Sequence, residues 1–306
     1  MSARSAPMPS TFHPGEQALQ ARVGARERLA EIGPLIIRDH MPDQHRAFFA
    51  QLPFLVVGSL DAAGQPWASM LAASEGFLQT PDAQHLHVAA WPDAADPLRG
   101  ALTAGAALGL LGIEPQTRRR NRMNGRVEAM DGRGFTVAVS QSFGNCPKYI
   151  RLRRAKPATR MPGAPQRMDV LDAAAQALIA QADTFFIASA HPQTATGRSA
   201  AEGIDVSHRG GPAGFVRVDG HVLTVPDFAG NRFFNTLGNL LLAPQAGLLF
   251  VDFETGDLLQ VAARAEIVLE GPELASFEGA ERLLKLQVVS ALRRPAALPL
   301  NWTDAD

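Results

Sequence analysis

The sequence predicts an α+β protein built from two copies of a small antiparallel β-barrel. Three observations carry that prediction. First, the stretch GLLGIEPQTRRRNRMNGRVE, opening at Gly109, aligns without a gap on GLLFVDFETGDLLQVAARAE, opening at Gly247. Thr117 then falls on Thr255, Arg126 on Arg264 and Glu128 on Glu266. A repeat of this kind marks a duplicated unit. Second, the strand candidates are short alternating runs separated by turns, as in a small antiparallel barrel. Third, the helices are few and fall at corresponding places in the two halves, which fits α+β rather than a wound parallel sheet.

The elements follow in order. A front extension, residues 1–41, is read as helical from Glu16 to about Ile32, with Pro34 ending the helix. The first half, residues 42–150, opens with a helix over Asp43–Leu52 and a strand over Phe54–Ser59. His85–Ala90 reads as a strand, Asp96–Ala104 as a helical segment, and the repeat itself as a strand pair. Residues 151–168, rich in Pro, Arg and Ala, form a linker. The second half, residues 169–306, repeats the plan with a helix over Asp172–Gln181, strands over Thr184–Ser189 and His221–Val225, and a helix over Asn231–Leu242. An Asp near the start of each leading helix can accept from the free N–H groups of a first turn. The tail from Leu283 is read as a helical start and then a Pro-broken end, AALPLNW.

Composition narrows the function. The 306 residues carry a net charge of −1, so no global field attracts nucleic acid or anionic lipid, and neither is expected as a partner. No apolar run approaches the roughly 18–20 residues a bilayer-crossing helix needs. Met1–Pro14 lacks the apolar core of a signal peptide, so a cytoplasmic location is expected. The single cysteine, Cys146, fits a reducing compartment and excludes an intrachain disulfide or a multi-cysteine metal site. His85 and His87 share a strand face, but no third ligand is suggested, and no metal is expected.

The densest polar constellation lies in the second half. Asp205-Val206-Ser207-His208-Arg209-Gly210-Gly211 is followed by Val225-Pro226-Asp227-Phe228-Ala229-Gly230-Asn231-Arg232, with Asn235 one turn on. Glycines that allow close backbone approach, a helix start with free N–H groups, and Arg209 and Arg232 together suit a bound anion. In the first half, Arg118, Arg119, Arg120, Arg122 and Arg126 place five arginines in nine residues. They line an anion site, bind nucleic acid or form a solvated hairpin tip; the breadth of a nucleic-acid surface is absent. On a hairpin, alternate side chains point to opposite faces, so about half of these arginines turn inward. Gln141-Ser142-Phe143-Gly144-Asn145-Cys146-Pro147-Lys148-Tyr149-Ile150 closes the first half. A Cys146 nucleophile needs a base, for which His208 is the best candidate, though nothing in the sequence pairs them.

These strings, with FHPGEQALQARVGARE, PDFAGNRFFNTLGNLLL and FVDFETGDLLQ, resemble tandem members of the pyridoxamine-phosphate-oxidase-like, FMN-binding split-barrel family, from about Phe12 to Trp302. The resemblance implies two tandem split β-barrels forming an intrachain pseudo-dimer, with FMN in a cleft between them. Ser207, His208, Arg209 and Gly210 would then run along the flavin, and Val225 and Pro226 would flank it. Asn231 and Arg232 match the phosphate-binding turn, with Asn235 beside them. Gln260 matches a glutamine reaching the flavin, and Gln141 and Ser142 match a pair supplied from the opposite barrel. Arg118, Arg120, Arg122 and Lys148 are candidates for the flavin edge or an acidic substrate.

The family's substrate-phosphate motif is broken: Tyr149 and Arg153 keep its spacing, but Pro157 stands where a serine belongs, and no Arg-x-His follows. Vitamin B6 oxidation is therefore not expected. An FMN-dependent oxidoreductase acting on a small molecule is, with a nicotinamide nucleotide or a reductase as electron donor. The alternatives are a non-catalytic flavin-storing protein and a haem-binding one. The chain is expected as a pseudo-dimeric monomer or as a homodimer.

Overall fold

The computed structural model describes residues 10–197 and 199–305. The first nine residues of the expected extension, and with them most of the segment read for a signal peptide, lie outside the described residues, as do Arg198 and Asp306.

The extension forms two helices, α1 (Pro14–Arg22) and α2 (Arg26–Ile36), rather than one. Gly24, at φ +64°, takes the left-handed conformation that stops α1. Pro34 sits inside the last turn of α2, which ends two residues later. The first half then runs α3 (Asp43–Ala50), β1 (Phe54–Leu60), β2 (Pro66–Ala72), β3 (Leu78–Gln79), β4 (His85–Val88), α4 (Pro97–Ala101), β5 (Ala107–Glu114), β6 (Arg119–Met130) and β7 (Phe135–Gly144). The linker holds β8 (Arg153–Pro157) and β9 (Gln166–Met168). The second half runs α5 (Ala173–Gln181), β10 (Thr184–Ala190), β11 (Ile204–Gly210), β12 (Arg217–Asp219), β13 (Val222–Phe228), α6 (Asn235–Leu242), β14 (Gln245–Val251), β15 (Leu258–Val268), β16 (Ala280–Arg294) and β17 (Leu300–Asp304).

The two sheets have the same strand order. The first is β2-β1-β5-β6-β7-β4-β3 and the second β11-β10-β14-β15-β16-β13-β12, each joined by antiparallel pairs, so the duplication is structural as well as sequential. The protein is α+β, two tandem split barrels forming a pseudo-dimer within one chain. The linker is not a bare connection: β8 pairs with β17 and β9 with β16.

The tail corrects the sequence reading. Residues from Leu283 continue β16 rather than starting a helix. Leu284, Leu286 and Val288 are buried while Lys285, Gln287 and Val289 are not, which is strand alternation. A bulge opposite Ala262/Ala263 then shifts the register, so Ala291 and Leu292 return to the core at helix-like spacing.

Each half has its own apolar core, one around Phe49, Leu86 and Phe135 and the other around Ile179, Phe250 and Leu286. A third core joins them, with Phe54, Val56 and Leu111 from the first half against Phe186, Val206 and Leu249 from the second. The repeated glycines make this contact close. A Cβ on Gly109 of β5 would lie 2.6 Å from Ile204 O of β11, and one on Gly247 of β14 would lie 2.2 Å from Pro66 O of β2. Backbone therefore packs on backbone at two pseudo-equivalent points. No helix among the described residues is long and apolar enough to cross a membrane.

Candidate functional site

The seam between the halves positions the site. β6 of the first half runs beside β11 of the second, and their polar side chains meet in pairs. Arg120 donates to His208 Nδ1 at 3.0 Å. Arg122 donates to Asp205 Oδ1 at 3.3 Å, to Asn235 Oδ1 at 3.0 Å and to Ser207 Oγ. Asn124 donates to Asp205 Oδ1 at 2.8 Å and to Gln141 Oε1 at 3.0 Å. Residues 120, 122 and 124 lie on one face of β6 by strand alternation, while Arg118 and Arg119 are exposed, the Arg119 guanidinium lying over the Phe48 ring at 4.9 Å.

A cleft opens beside this wall. Its other sides are Arg209 and Asp227, the turn Gly230-Asn231-Arg232, and the first turn of α6. Arg209 is tied to Asp227, whose other carboxylate oxygen lies 2.9 Å from Arg282 Nε. Asn231 Oδ1 accepts from Phe233 N at 3.1 Å, which braces the turn. Arg232 and Phe234 have φ of +62° and +63°, a left-handed conformation that costs free energy in a non-glycine residue and clusters at functional sites. Arg232 is exposed at the mouth.

A second chamber adjoins the cleft and shares Arg120, Cys146, His208 and Arg209 with it. Lys148, Gly210, Pro226 and Phe228 complete its walls. Tyr149 stacks on Phe228 with ring centroids 5.2 Å apart.

The electrostatics favour an anion. The Nε atoms of Arg120, Arg122 and Arg209 are buried without a hydrogen-bond partner, as is Asn145 Nδ2. Unpaired buried donors are costly, and here they belong to side chains that line the cleft, three of them positively charged. Burial, and then the neighbouring Arg122, push the Arg120 guanidinium down to about 10, so it stays charged at neutral pH. Burial, then Arg120 and Arg209, hold His208 well below the ordinary histidine range. A neutral His208 that accepts at Nδ1 carries its proton on Nε2.

Of the residues singled out from the sequence, Ser207, His208, Arg209, Asn231, Arg232, Asn235, Arg120 and Arg122 come together at the cleft, and Gly210, Pro226 and Lys148 at the chamber. Others lie elsewhere. Val225 is in the second-half core. Gln141 accepts from Asn124 behind the wall, and Ser142 is buried against His45 Nδ1 at 2.8 Å. Arg118 caps a short helical turn at φ +54°. Sequence reasoning passed over Thr236, whose hydroxyl lies 2.7 Å from Ser207 Oγ, and Arg282, which was hidden just ahead of the misread tail.

A family model described as Pyridoxamine 5'-phosphate oxidase matches the chain twice, over residues 41–165 and 171–297. The chain belongs to the pyridoxamine 5'-phosphate oxidase family. No curated protein matches it. Solved structures it is similar to include HupZ from Group A Streptococcus, at 14% identity and TM-score 0.29 over 39% of this chain and 89% of that one. An FMN-binding protein from Syntrophomonas wolfei subsp. wolfei matches at 10% identity and TM-score 0.30, over 39% of this chain and 82% of that one. The haem storage protein HutZ from Vibrio cholerae matches at 13% identity and TM-score 0.28, over 39% of this chain and 90% of that one.

In this tandem member of the pyridoxamine 5'-phosphate oxidase family the two halves are not equivalent at the seam. Leu111 and Leu249, aligned by the repeat, pair with Val56 and Phe186, which in turn pair with Met70 and His208. Met70 is thus the counterpart of His208, and Ser69 of Ser207. The same alignment makes Gln260 the counterpart of Arg122, and the β6–β7 and β15–β16 registers make Arg294 the counterpart of Asn145. Gln260 is fully buried there, donating to Ala68 O and Ser69 Oγ at 3.0 Å each. Arg294 is ion-paired with Asp96, which also accepts from Ser69 and caps α4. The place that is open beside Arg122 is filled beside Gln260.

Proposed function

We propose that the chain binds one FMN, in the open cleft, and serves as an FMN-dependent oxidoreductase for a small molecule. The observation that carries this reading is the asymmetry of the seam. Arg120, Arg122 and Arg209 converge on one cleft, beside the first turn of α6, while the pseudo-equivalent place is closed by the Asp96–Arg294 pair. The donors present fit the cofactor. Asn231, Arg232 and the free N–H groups of α6 suit a phosphate, and the chamber with Gly210, Pro226 and the Tyr149–Phe228 stack suits a flat ring.

Bound flavin supplies the electron-transfer chemistry; the residues of the chain bind and orient it. His208, neutral, accepts from Arg120 and fixes its guanidinium at the cleft wall. Arg120 and Arg122 supply fixed positive charge in a partly dehydrated site, where it acts more strongly than in water. Arg153 does not line the cleft or its chamber and is held by both carboxylate oxygens of Asp183, at 3.0 and 2.7 Å. With Pro157 in place of the family serine, this argues for a substrate other than pyridoxamine phosphate. The proton on His208 Nε2 argues against His208 as a haem-iron ligand, because that atom lacks the lone pair an iron ligand needs. A nicotinamide nucleotide or a reductase partner is the proposed electron donor.

The visible spectrum of the purified protein, followed by heat release and identification of the chromophore, tests the reading. A yellow protein yielding one FMN per chain is the expected result. Two per chain contradicts the closed cleft, and a protein that fails to take up added FMN contradicts the cofactor. Turnover with reduced nicotinamide then separates an oxidoreductase from a storage protein.

A further inference from the structure

The family match begins at residue 41, yet the wall of the cleft is tied to a residue well before it. Glu16, in the first turn of α1, is buried. Its Oε1 accepts from Asn235 Nδ2 at 2.5 Å and its Oε2 accepts from His13 N at 2.8 Å. The amide of Asn235 uses its other end to accept from Arg122, which lines the cleft. α1 is seated closely on α6, which holds Glu16 against Asn235: a Cβ on Gly15 would lie 2.2 Å from Gly238 O of α6.

We propose that Glu16 is a positioning residue that couples a proton to anion binding, through Asn235 and Arg122. An ionised Glu16 accepts from the Asn235 N–H, which leaves the Asn235 carbonyl to hold Arg122. A protonated Glu16 has an O–H to give, and the Asn235 carbonyl accepts it only when the amide is turned over. The turned amide presents N–H to Arg122 and releases that guanidinium N–H to the cleft. Charge acts in the same direction, because an ionised Glu16 adds a second negative group beside Asp205 and weakens the attraction for an anion.

The titratable neighbours are few. His13 stands on the approach to α1, Arg122 on β6 and Asp205 on β11, with His191 against the His13 ring at 5.0 Å and Glu202 beyond. Burial, and then Asp205, push the Glu16 carboxyl up to about 8. Burial, and then His191, push His13 down to about 4, so it stays neutral across that range. The inference rests on the cleft's being an anion site, though not on the anion's being FMN.

The test uses the full chain in a Cys146→Ser background, which removes the thiol of the same cleft as a confounder. Sulfate, whose charge is constant across the range, and FMN are titrated separately at pH values on both sides of 8. In the parent protein, sulfate affinity is expected to fall by up to about tenfold per pH unit above 8, while Glu16→Gln shows no such fall. Glu16→Ala, which cannot orient Asn235, is expected to bind more weakly than Glu16→Gln at every pH. Superimposable sulfate profiles for the parent and Glu16→Gln overturn the coupling, whatever FMN does; failure of FMN alone to bind overturns only the cofactor assignment. Without ligand, folded Glu16 holds a proton that the unfolded chain releases between pH 4.5 and 8. Parent stability should therefore fall relative to Glu16→Gln as pH rises through that window, and parallel stability curves also count against the proposal.

Discussion

At the scale of single residues, the contrast between Arg122 and Gln260 explains why one half of a duplicated site stays open. Arg122 is a buried cation whose partners, Asp205 and Asn235, come from the other half of the chain. Removing one member of a buried ion pair leaves the other charge dehydrated and unpaired. Arg122→Ala should cost about 3–5 kcal/mol, in urea unfolding, and should also abolish FMN uptake. Arg294→Ala should cost a similar amount, because Asp96 is 2% exposed, yet leave FMN uptake intact. Loss of FMN from the Arg294 variant would mean that the closed cleft, not the open one, holds the ligand. That about half of the arginines from Arg118 to Arg126 turn inward was legible in the sequence from strand alternation. That Arg118 would not join Arg120 and Arg122 was not, because it sits in the turn before β6 at φ +54°. The place of Gln260 was legible too, in the repeat that sets Gly109 on Gly247, since that alignment also sets Gln260 on Arg122. Family resemblance pointed instead to the open cleft. The Glu16–Asn235 contact was not legible, because 219 positions separate the two residues and only packing of α1 on α6 brings them together.

At the scale of elements, the β5–β6 and β14–β15 hairpins kept enough sequence to reveal the duplication, and β2 and β11 did not. Trp67-Ala68-Ser69-Met70 and Asp205-Val206-Ser207-His208 share only their serine, because one strand seals a core and the other faces a cleft. β16 was unreadable for a different reason: its bulge adds one residue, and the apolar positions on either side then imitate a helix. The hairpin glycines give a sharp test. Gly247→Ala would set a Cβ 2.2 Å from a backbone oxygen of β2 and should destabilise by at least about 1–3 kcal/mol. Gly100→Ala, in α4 with open space around its Cβ, should be neutral or stabilising by up to about 1 kcal/mol. Equal thermal shifts for the two variants would remove the close seam from the account of the fold.

At the scale of the whole molecule, the two barrels of one chain share a cleft that needs both halves. The wall of arginines belongs to β6, the anion turn and α6 to the second half, and the core around Phe54 and Phe186 is common property. The covalent link is not what holds them together. The linker passes through Met161, which is 90% exposed, while β8 before it is paired with β17 and β9 after it with β16. A protease site introduced at 161–164 should therefore be cut without separating the halves. The nicked protein should elute from a sizing column at the volume of the intact chain and take up added FMN at the same stoichiometry as the intact chain. Shared burial makes the two fragments mutually dependent, because each alone would expose the apolar residues of the joint core to water. Dissociation on cutting would show that the linker supplies effective concentration to a weak interface, and the seam would then be too loose to orient Arg122 for the ligand.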